Sequence, residues 1–279
     1  MHIITSPIAL KDLVSKWHQQ DERIGLTPTM GALHDGHLAL IKALTGKASR
    51  KIVTLFVNPT QFNNAEDFHL YPRQHEADIA LLQKTGDVDA LYIPHKEDMY
   101  PQGFSTKIFV SQFDTILCGA DRPGHFAGVA TVVTKLFLQT QADIAAFGEK
   151  DYQQLCLIRR LTQDLNLPVE ILAVPTQRES DGLALSSRNR RLTAAQRQQA
   201  AQLPRALNTC LTNLRHQYPL SEALAHCRTT LENAGFVVHY LDLRTEDTLS
   251  PAYEACKGVR LFVAASLGSI RLIDNMPVF

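Results

Sequence analysis

The run Pro28-Thr29-Met30-Gly31-Ala32-Leu33-His34-Asp35-Gly36-His37 constrains this chain more than any other stretch, because it sets a His-x-Gly-His element between a strand-like and a helix-like segment. Two imidazoles three positions apart in a first helical turn face the same way, and the glycine between them lacks the Cβ that would hold a phosphate chain off the backbone. A helix N-terminus adds unpaired N–H donors and the positive end of a dipole, so the triphosphate of a nucleotide has a natural seat there. Other motifs fit less well. The HExxH pattern is absent, and His34 and His37 have no Cys or Glu partner at zinc-ligand spacing. Gly31-x-x-x-x-Gly36 has P-loop spacing, but His37-Leu38 stands where a P-loop needs Lys and Ser or Thr. No GxGxxG follows the first strand, which removes the main support for a dinucleotide oxidoreductase.

A chain of 279 residues with 45% apolar content suits about two domains, each with a real core. Lys plus Arg and Asp plus Glu both number 28, so no overall attraction to nucleic acid or to an anionic membrane is implied. Cys118, Cys156, Cys210, Cys227 and Cys256 are odd in number and form no CxxC pair, as expected of small buried residues in a reducing cytoplasm. The N-terminus lacks a basic segment followed by a long apolar run, and no apolar stretch is long enough to span a bilayer; neither export nor a membrane span is expected.

Along the first part, strand-like and helix-like segments alternate: helix 8–20, strand 23–28, helix 36–48, strand 51–58, helix 76–85 and strand 90–93. Alternation continues with helix 129–140, strand 144–147, helix 152–165 and strand 169–174. This pattern predicts an α/β domain over 1–175, a Rossmann-like parallel sheet with helices on both faces. The β-branched, apolar run Ile52-Val53-Thr54-Leu55-Phe56-Val57 suits a strand buried on both faces. Asn58 and Gln61 then fall at its carboxyl end, where open α/β sheets bind ligands. After Pro175 comes a polar, arginine-rich loop to Arg191. The capping-box pattern Thr193-x-x-Gln196 then opens a long helix, followed by helix 221–234 and strands 237–243 and 259–265. Residues 176–279 are therefore expected to form a smaller α+β domain closing over the site.

Two further clusters carry chemistry. Phe147-Gly148-Glu149-Lys150-Asp151-Tyr152-Gln153-Gln154 sits where a strand gives way to a helix. Its glycine admits a ligand to the backbone, Lys150 suits phosphate oxygens, and Asp151 suits a helix cap, a ribose or magnesium; Gln154 lies one turn on. Arg178 to Asn189 places Ser186 and Ser187 beside Arg188, donors fit for a polyphosphate leaving group on a loop able to close. A solvated helix start and a solvated linker account for the same residue types. Arg122-Pro123-Gly124-His125-Phe126-Ala127-Gly128 reads as a glycine-punctuated turn.

Six ordered blocks, PTMGALHDGH (28–37), FVNPTQF (56–62), EDFHLYPR (66–73), RPGHFAGVATVVTKLF (122–137), FGEKDYQQL (147–155) and DGLALSSRN (181–189), resemble the pantothenate synthetase family of the cytidylyltransferase-like nucleotidyltransferases over nearly the whole chain. The resemblance implies a two-step ligase: pantoate attacks the α-phosphorus of ATP to give pantoyl adenylate and pyrophosphate, and β-alanine then displaces AMP. It implies an ATP site lined by Met30, Gly31, Ala32, Leu33, His34, Asp35, Gly36 and His37. Gly148, Glu149, Lys150 and Asp151 would hold ribose and phosphate, and Leu185, Ser186, Ser187 and Arg188 would close over the triphosphate. His37, His34, Lys150 and Arg188 would be the catalytic groups, His37 as proton donor toward the leaving group. Gln61 and Gln154 would hold pantoate, with Asn58 assisting. Magnesium would accompany ATP, with Glu76 and Asp78 as candidate helpers, and the enzyme would be a cytoplasmic homodimer acting on small molecules. Three departures touch loops: Gln177 where an apolar residue usually meets adenine, Ala142 before Asp143 in place of proline, and Arg190-Arg191 in place of Gly-Tyr.

A sister nucleotidyltransferase would adenylate a phosphate ester instead of pantoate. A relative of class I aminoacyl-tRNA synthetases is disfavoured by zero net charge and the lack of an RNA-binding appendage. A nucleotide sensor would bind ATP without releasing pyrophosphate, and the presence of both histidines, Lys150 and Arg188 speaks against it.

Overall fold

Strand β2 (Ile24–Thr29), which leads into the histidine element, lies inside a sheet of six strands and carries a proline, and that proline shapes the sheet. The computed structural model describes all residues, Met1–Phe279. The other strands of this sheet are β1 (His2–Ile4), β3 (Arg50–Leu55), β4 (Ala90–Tyr92), β5 (Ile144–Gly148) and β6 (Glu170–Val174), ordered β1-β4-β3-β2-β5-β6 with every pairing parallel. Both the amide and the carbonyl of Ile24 bond to Asp143, just before β5. Successive residues of a strand alternate in the neighbour they address, so Pro28 also turns its nitrogen toward β5. With no N–H to donate there, the β2–β5 ladder covers only Gly25 and Leu26, whereas β2 stays paired with β3 through Thr29. The strand order reverses beside β2, so its carboxyl end with that of β5 is the crevice where such sheets take ligands.

Helices cover both faces. They are α1 (Pro7–His18), α2 (Asp35–Ala43), α3 (Ala65–His69), α4 (His75–Thr85), α5 (Lys96–Met99), α6 (Leu117–Asp121), α7 (His125–Thr140) and α8 (Tyr152–Asp164). Val53, Leu55 and Leu91 pack with Leu33, Ile41 of α2 and Leu82 of α4. The opposite face carries Tyr92, whose hydroxyl donates to Gln139 of α7 at 3.1 Å. The expected strand 51–58 ends at Leu55 because Asn58 caps a single 3-10 turn, Pro59–Gln61. Helix α7 begins four residues before the expected 129, with Gly124 at φ 80° leading into it.

Contacts divide the chain into two units, one of Met1–Glu149 with Leu157–Pro175 and one of Lys150–Cys156 with Thr176–Phe279. The second unit holds α9 (Ala194–Ala200), α10 (Gln202–Arg215), α11 (Leu220–Asn233) and an antiparallel sheet of β7 (Val237–Thr245), β8 (Val259–Leu267) and β9 (Ile270–Pro277). The Thr193–Gln196 capping box is present, but the long helix it opens is divided at Ala201. One face of the sheet, with Leu261, Val263, Ala265, Ile270, Leu272 and Met276, forms the core against Leu203, Leu207, Leu211 and Leu231. Four cysteines are buried and Cys256, in the loop between β7 and β8, is exposed, contrary to the expectation that all five are interior. No helix is long and apolar enough to cross a membrane.

Candidate active site

The chain leaves β2 through a bend that ordinary residues avoid. Gly31 has φ 84° and Ala32 has φ 52°, both left-handed, the second a strained conformation for a residue with a Cβ. Asp78 of α4 holds the bend in place. It is 2% exposed, and its two oxygens accept the amides of Ala32 and Leu33, each at 2.8 Å. A Cβ on residue 31 would stand 3.1 Å from the same carboxylate. The expectation that Asp78 helps a metal is therefore corrected: its oxygens are turned to the main chain and shielded from water, where a hydrated cation has no access.

His34 is the N-cap of α2 and His37 its third helical residue. Nδ1 of His34 accepts the Gly36 amide at 3.1 Å, and Nδ1 of His37 accepts the His34 amide at 3.3 Å. This is the reciprocal arrangement usually made by Ser or Thr with Glu or Gln, here built from two imidazoles whose ring centroids are 4.1 Å apart. Each Nδ1 must keep its lone pair to accept, so in both rings the remaining N–H is at Nε2. The helix start thus presents two oriented imidazole N–H donors together with the helix dipole. Asp35, the first residue of α2, is exposed.

Gln61 lies beside this corner. Its Nε2 donates to Met30 Sδ at 3.1 Å and its Oε1 accepts from Asn58 Nδ2 at 3.0 Å, which leaves one amide hydrogen and one lone pair for a ligand. Asn58 has no such reserve. Its second amide hydrogen goes to the Gly128 carbonyl at 3.1 Å, and its oxygen accepts from Thr60 N, Thr60 Oγ1 and Tyr100 Oη. Direct assistance of pantoate by Asn58 is accordingly replaced by a different task, orienting Gln61. Burial holds the Tyr100 phenol above its usual value, so Tyr100 remains a donor in this cluster.

The segment read as a turn at 122–128 also converges on Gln61. His125 Nδ1 and Arg122 Nη2 both donate to the Gln61 carbonyl, at 2.8 and 3.2 Å, and Arg122 Nη1 donates to His125 Nε2 at 3.2 Å. Gly128 lets α7 approach: a Cβ there would lie 2.4 Å from the Thr60 carbonyl oxygen. Of these partners only Asn58 and Gln61 stand out in sequence, since nothing local marks Tyr100, His125 or Gly128 as neighbours of a turn some 40 to 70 residues earlier.

In the second unit, Lys150 Nζ lies 3.7 Å from Asp151. Gln154 is half-buried on the first turn of α8, which begins just after the 3-10 turn Glu149–Asp151. The Ser-Arg loop is an ordered structure, not a solvated linker. Arg178 pairs with Ala184 across an isolated bridge, and the Gln177 carbonyl accepts the Leu185 amide at 2.9 Å. Ser186 caps the 3-10 helix Ser187–Arg191 by accepting the Arg188 amide, and Ser187 is buried. Arg190 and Arg191 complete that helix.

Arg197 clamps the base of the loop, bonding Glu179 at 2.6 Å and Asp181 at 2.7 Å. The Arg197 guanidinium holds the Asp181 carboxyl below the usual carboxylate range. A carboxyl lowered in the folded state stabilises it above the unfolded value, about 3.9, and that contribution disappears as pH falls through the folded value. The melting temperature of the wild type should therefore exceed that of Arg197→Met at neutral pH by a gap that closes in strong acid. A gap independent of pH would remove the carboxylates from the clamp.

Residues 2–277 match the family model for pantoate-beta-alanine ligase. A pantothenate synthetase from Chelativorans sp. (strain BNC1) is 53% identical over 270 residues, covering 96% of this chain and 95% of the relative. One from Paracoccus denitrificans (strain Pd 1222) is 53% identical over 277 residues, 99% of this chain and 98% of its own. The crystal structure of pantothenate synthetase from Thermus thermophilus is similar with a TM-score of 0.94 at 43% identity, each chain fully covered. A pantoate-beta-alanine ligase from Francisella tularensis, crystallised with beta-gamma ATP and beta-alanine, gives a TM-score of 0.85 at 36% identity over 100% of this chain and 98% of that one. The proline-opened sheet and the imidazole cap thus stand in a chain that matches these proteins from end to end, and it belongs to the pantoate-beta-alanine ligase family.

Proposed function

We infer that this enzyme joins pantoate to β-alanine at the expense of ATP, giving pantothenate, AMP and pyrophosphate through a pantoyl-adenylate intermediate. The observation that carries this reading is the reciprocal imidazole cap at the carboxyl end of β2, two Nε2–H donors fixed at a helix N-terminus. In the first step a carboxylate oxygen of pantoate bonds to the α-phosphorus of ATP as the bond to the bridging oxygen breaks, and pyrophosphate leaves with that oxygen. No general base is needed for a carboxylate nucleophile, so the work is positioning and charge neutralisation. His34 and His37 donate Nε2–H bonds to phosphate oxygens, Lys150 neutralises developing charge, and Ser186, Ser187 and Arg188 receive the leaving pyrophosphate. Gln61 and Gln154 hold the hydroxyl and carboxylate groups of pantoate without adding charge. In the second step the β-alanine amine attacks the acyl carbon, AMP departs with the acyl-bound oxygen, and the amine loses one proton to solvent.

Magnesium enters with the nucleotide in this reading. No three His, Cys, Asp or Glu side chains gather as a cage, and Mg²⁺ is commonly held by phosphate oxygens with water. The Gln177 departure is mild, because that residue's backbone is already tied to the loop through Leu185.

Exchange of labelled pyrophosphate into ATP decides between readings. Pantoate alone should support exchange, and subsequent β-alanine should yield AMP and pantothenate in equal amounts. Exchange that requires a phosphomonoester would favour the sister nucleotidyltransferase, and ATP binding without exchange would favour a sensor.

A further inference from the structure

Two adjacent residues near the C-terminus, Asp274 and Asn275 of β9, lie outside every motif noted in the sequence, yet they are 2% and 3% exposed. Neighbours in a strand point to opposite faces, and here each face holds a different part of the second unit. Asp274 accepts hydrogen bonds from Nη1 and Nη2 of Arg178, at 2.7 and 2.9 Å, and from the Asn275 amide at 2.8 Å. Arg178 in turn donates to the Gly182 carbonyl at 3.0 Å, so this carboxylate secures the hairpin from which Ser186 to Arg188 project. On the other face Asn275 Nδ2 donates to the Lys150 carbonyl at 2.9 Å. Asn275 Oδ1 accepts from Arg260 of β8 at 2.7 Å, and the Arg260 guanidinium lies 4.0 Å over the Tyr152 ring. Asn275 therefore ties the backbone of Lys150 to the same strand that anchors the Ser-Arg loop.

We propose that Asp274 and Asn275 are a positioning pair: through one rigid strand they set Lys150 and the Ser186–Arg188 loop in a fixed register, so that the ammonium and the loop donors meet the polyphosphate together. The proposal rests on the assignment of Lys150 to phosphate chemistry. A misplacement of the order of 1 Å at a reacting group costs about a hundredfold in rate. Asn275 uses its donor on Lys150 and its acceptor on Arg260, so the two contacts can be separated.

The test measures pantoate-dependent pyrophosphate exchange and melting temperature for Asn275→Ala, Asn275→Asp, Lys150→Met and the double variant Asn275→Ala/Lys150→Met. Asn275→Ala should lower exchange by about a hundredfold, chiefly in kcat. Asn275→Asp keeps the Arg260 contact but sets an oxygen against the Lys150 carbonyl, so it should stay impaired in exchange and melt below the wild type because of that buried repulsion. In the Lys150→Met background, Asn275→Ala should cost less than about twofold more, because coupled residues are not additive. Full activity in Asn275→Asp, or losses that multiply in the double variant, would overturn the proposal. Unchanged exchange in Lys150→Met alone would instead overturn the role of Lys150.

Discussion

A His37→Ala enzyme is expected to lose about 10²- to 10³-fold in pantoate-dependent exchange, the cost of removing one oriented donor from a developing charge. Alanine removes two things at once, the Nε2–H and the Nδ1 that accepts the His34 amide at the start of α2. The second loss alone costs about 1 kcal/mol of helix stability, within the range for N-terminal caps. His37→Gln separates them, since glutamine at the third helical position is the ordinary partner of a reciprocal cap. The glutamine variant should recover the melting temperature lost by alanine and leave exchange close to the alanine level. Near-wild-type exchange in His37→Gln would show that the imidazole serves the helix only.

For Asp78→Ala the largest expected effect is on stability, about 2 to 5 kcal/mol, because the amides of Ala32 and Leu33 are left buried without acceptors. In a protein of this size that corresponds to a fall in melting temperature on the order of 10 °C. Ala32 already holds a left-handed conformation, and without the carboxylate nothing offsets that strain. Exchange should fall as the bend relaxes, while the magnesium concentration giving half-maximal rate stays where it is. A variant that folds normally and merely needs more magnesium would restore the metal reading of Asp78.

Much of the first sheet was legible because its strands combine β-branched, apolar runs with helical segments of adequate length, and the histidine element announces its own helix start. Strand β1 escaped because three residues carry too little pattern. Strand β9 escaped because Asp274-Asn275 interrupts apolar alternation with two buried polar residues, a sequence that reads as loop until their partners Arg178 and Lys150 are known. His34 and His37 were legible as chemistry since their neighbours in sequence are also their neighbours in space, whereas Gln61 was legible only as a polar residue at a strand end, its partners Met30, Arg122 and His125 lying far along the chain. Asn58 was legible as polar at a strand end, but its true role depends on Gly128 and Tyr100, which no local spacing connects to it. Asp78 shows the same limit, as an acidic residue on a helix that proves to serve a bend 45 residues earlier.

The pairing of β2 with β5 bears on how the polypeptide is made. Residues 24–29 meet β3 soon after it emerges, but their partner on the other side is Ile144 and Ala145. Any ribosome-bound fragment that stops short of these residues leaves Gly25 and Leu26 of β2 with an open edge on that side. That edge is closed only when β5 is added, so a chain cut before residue 144 lacks half of the β2–β5 pair at the centre of the sheet.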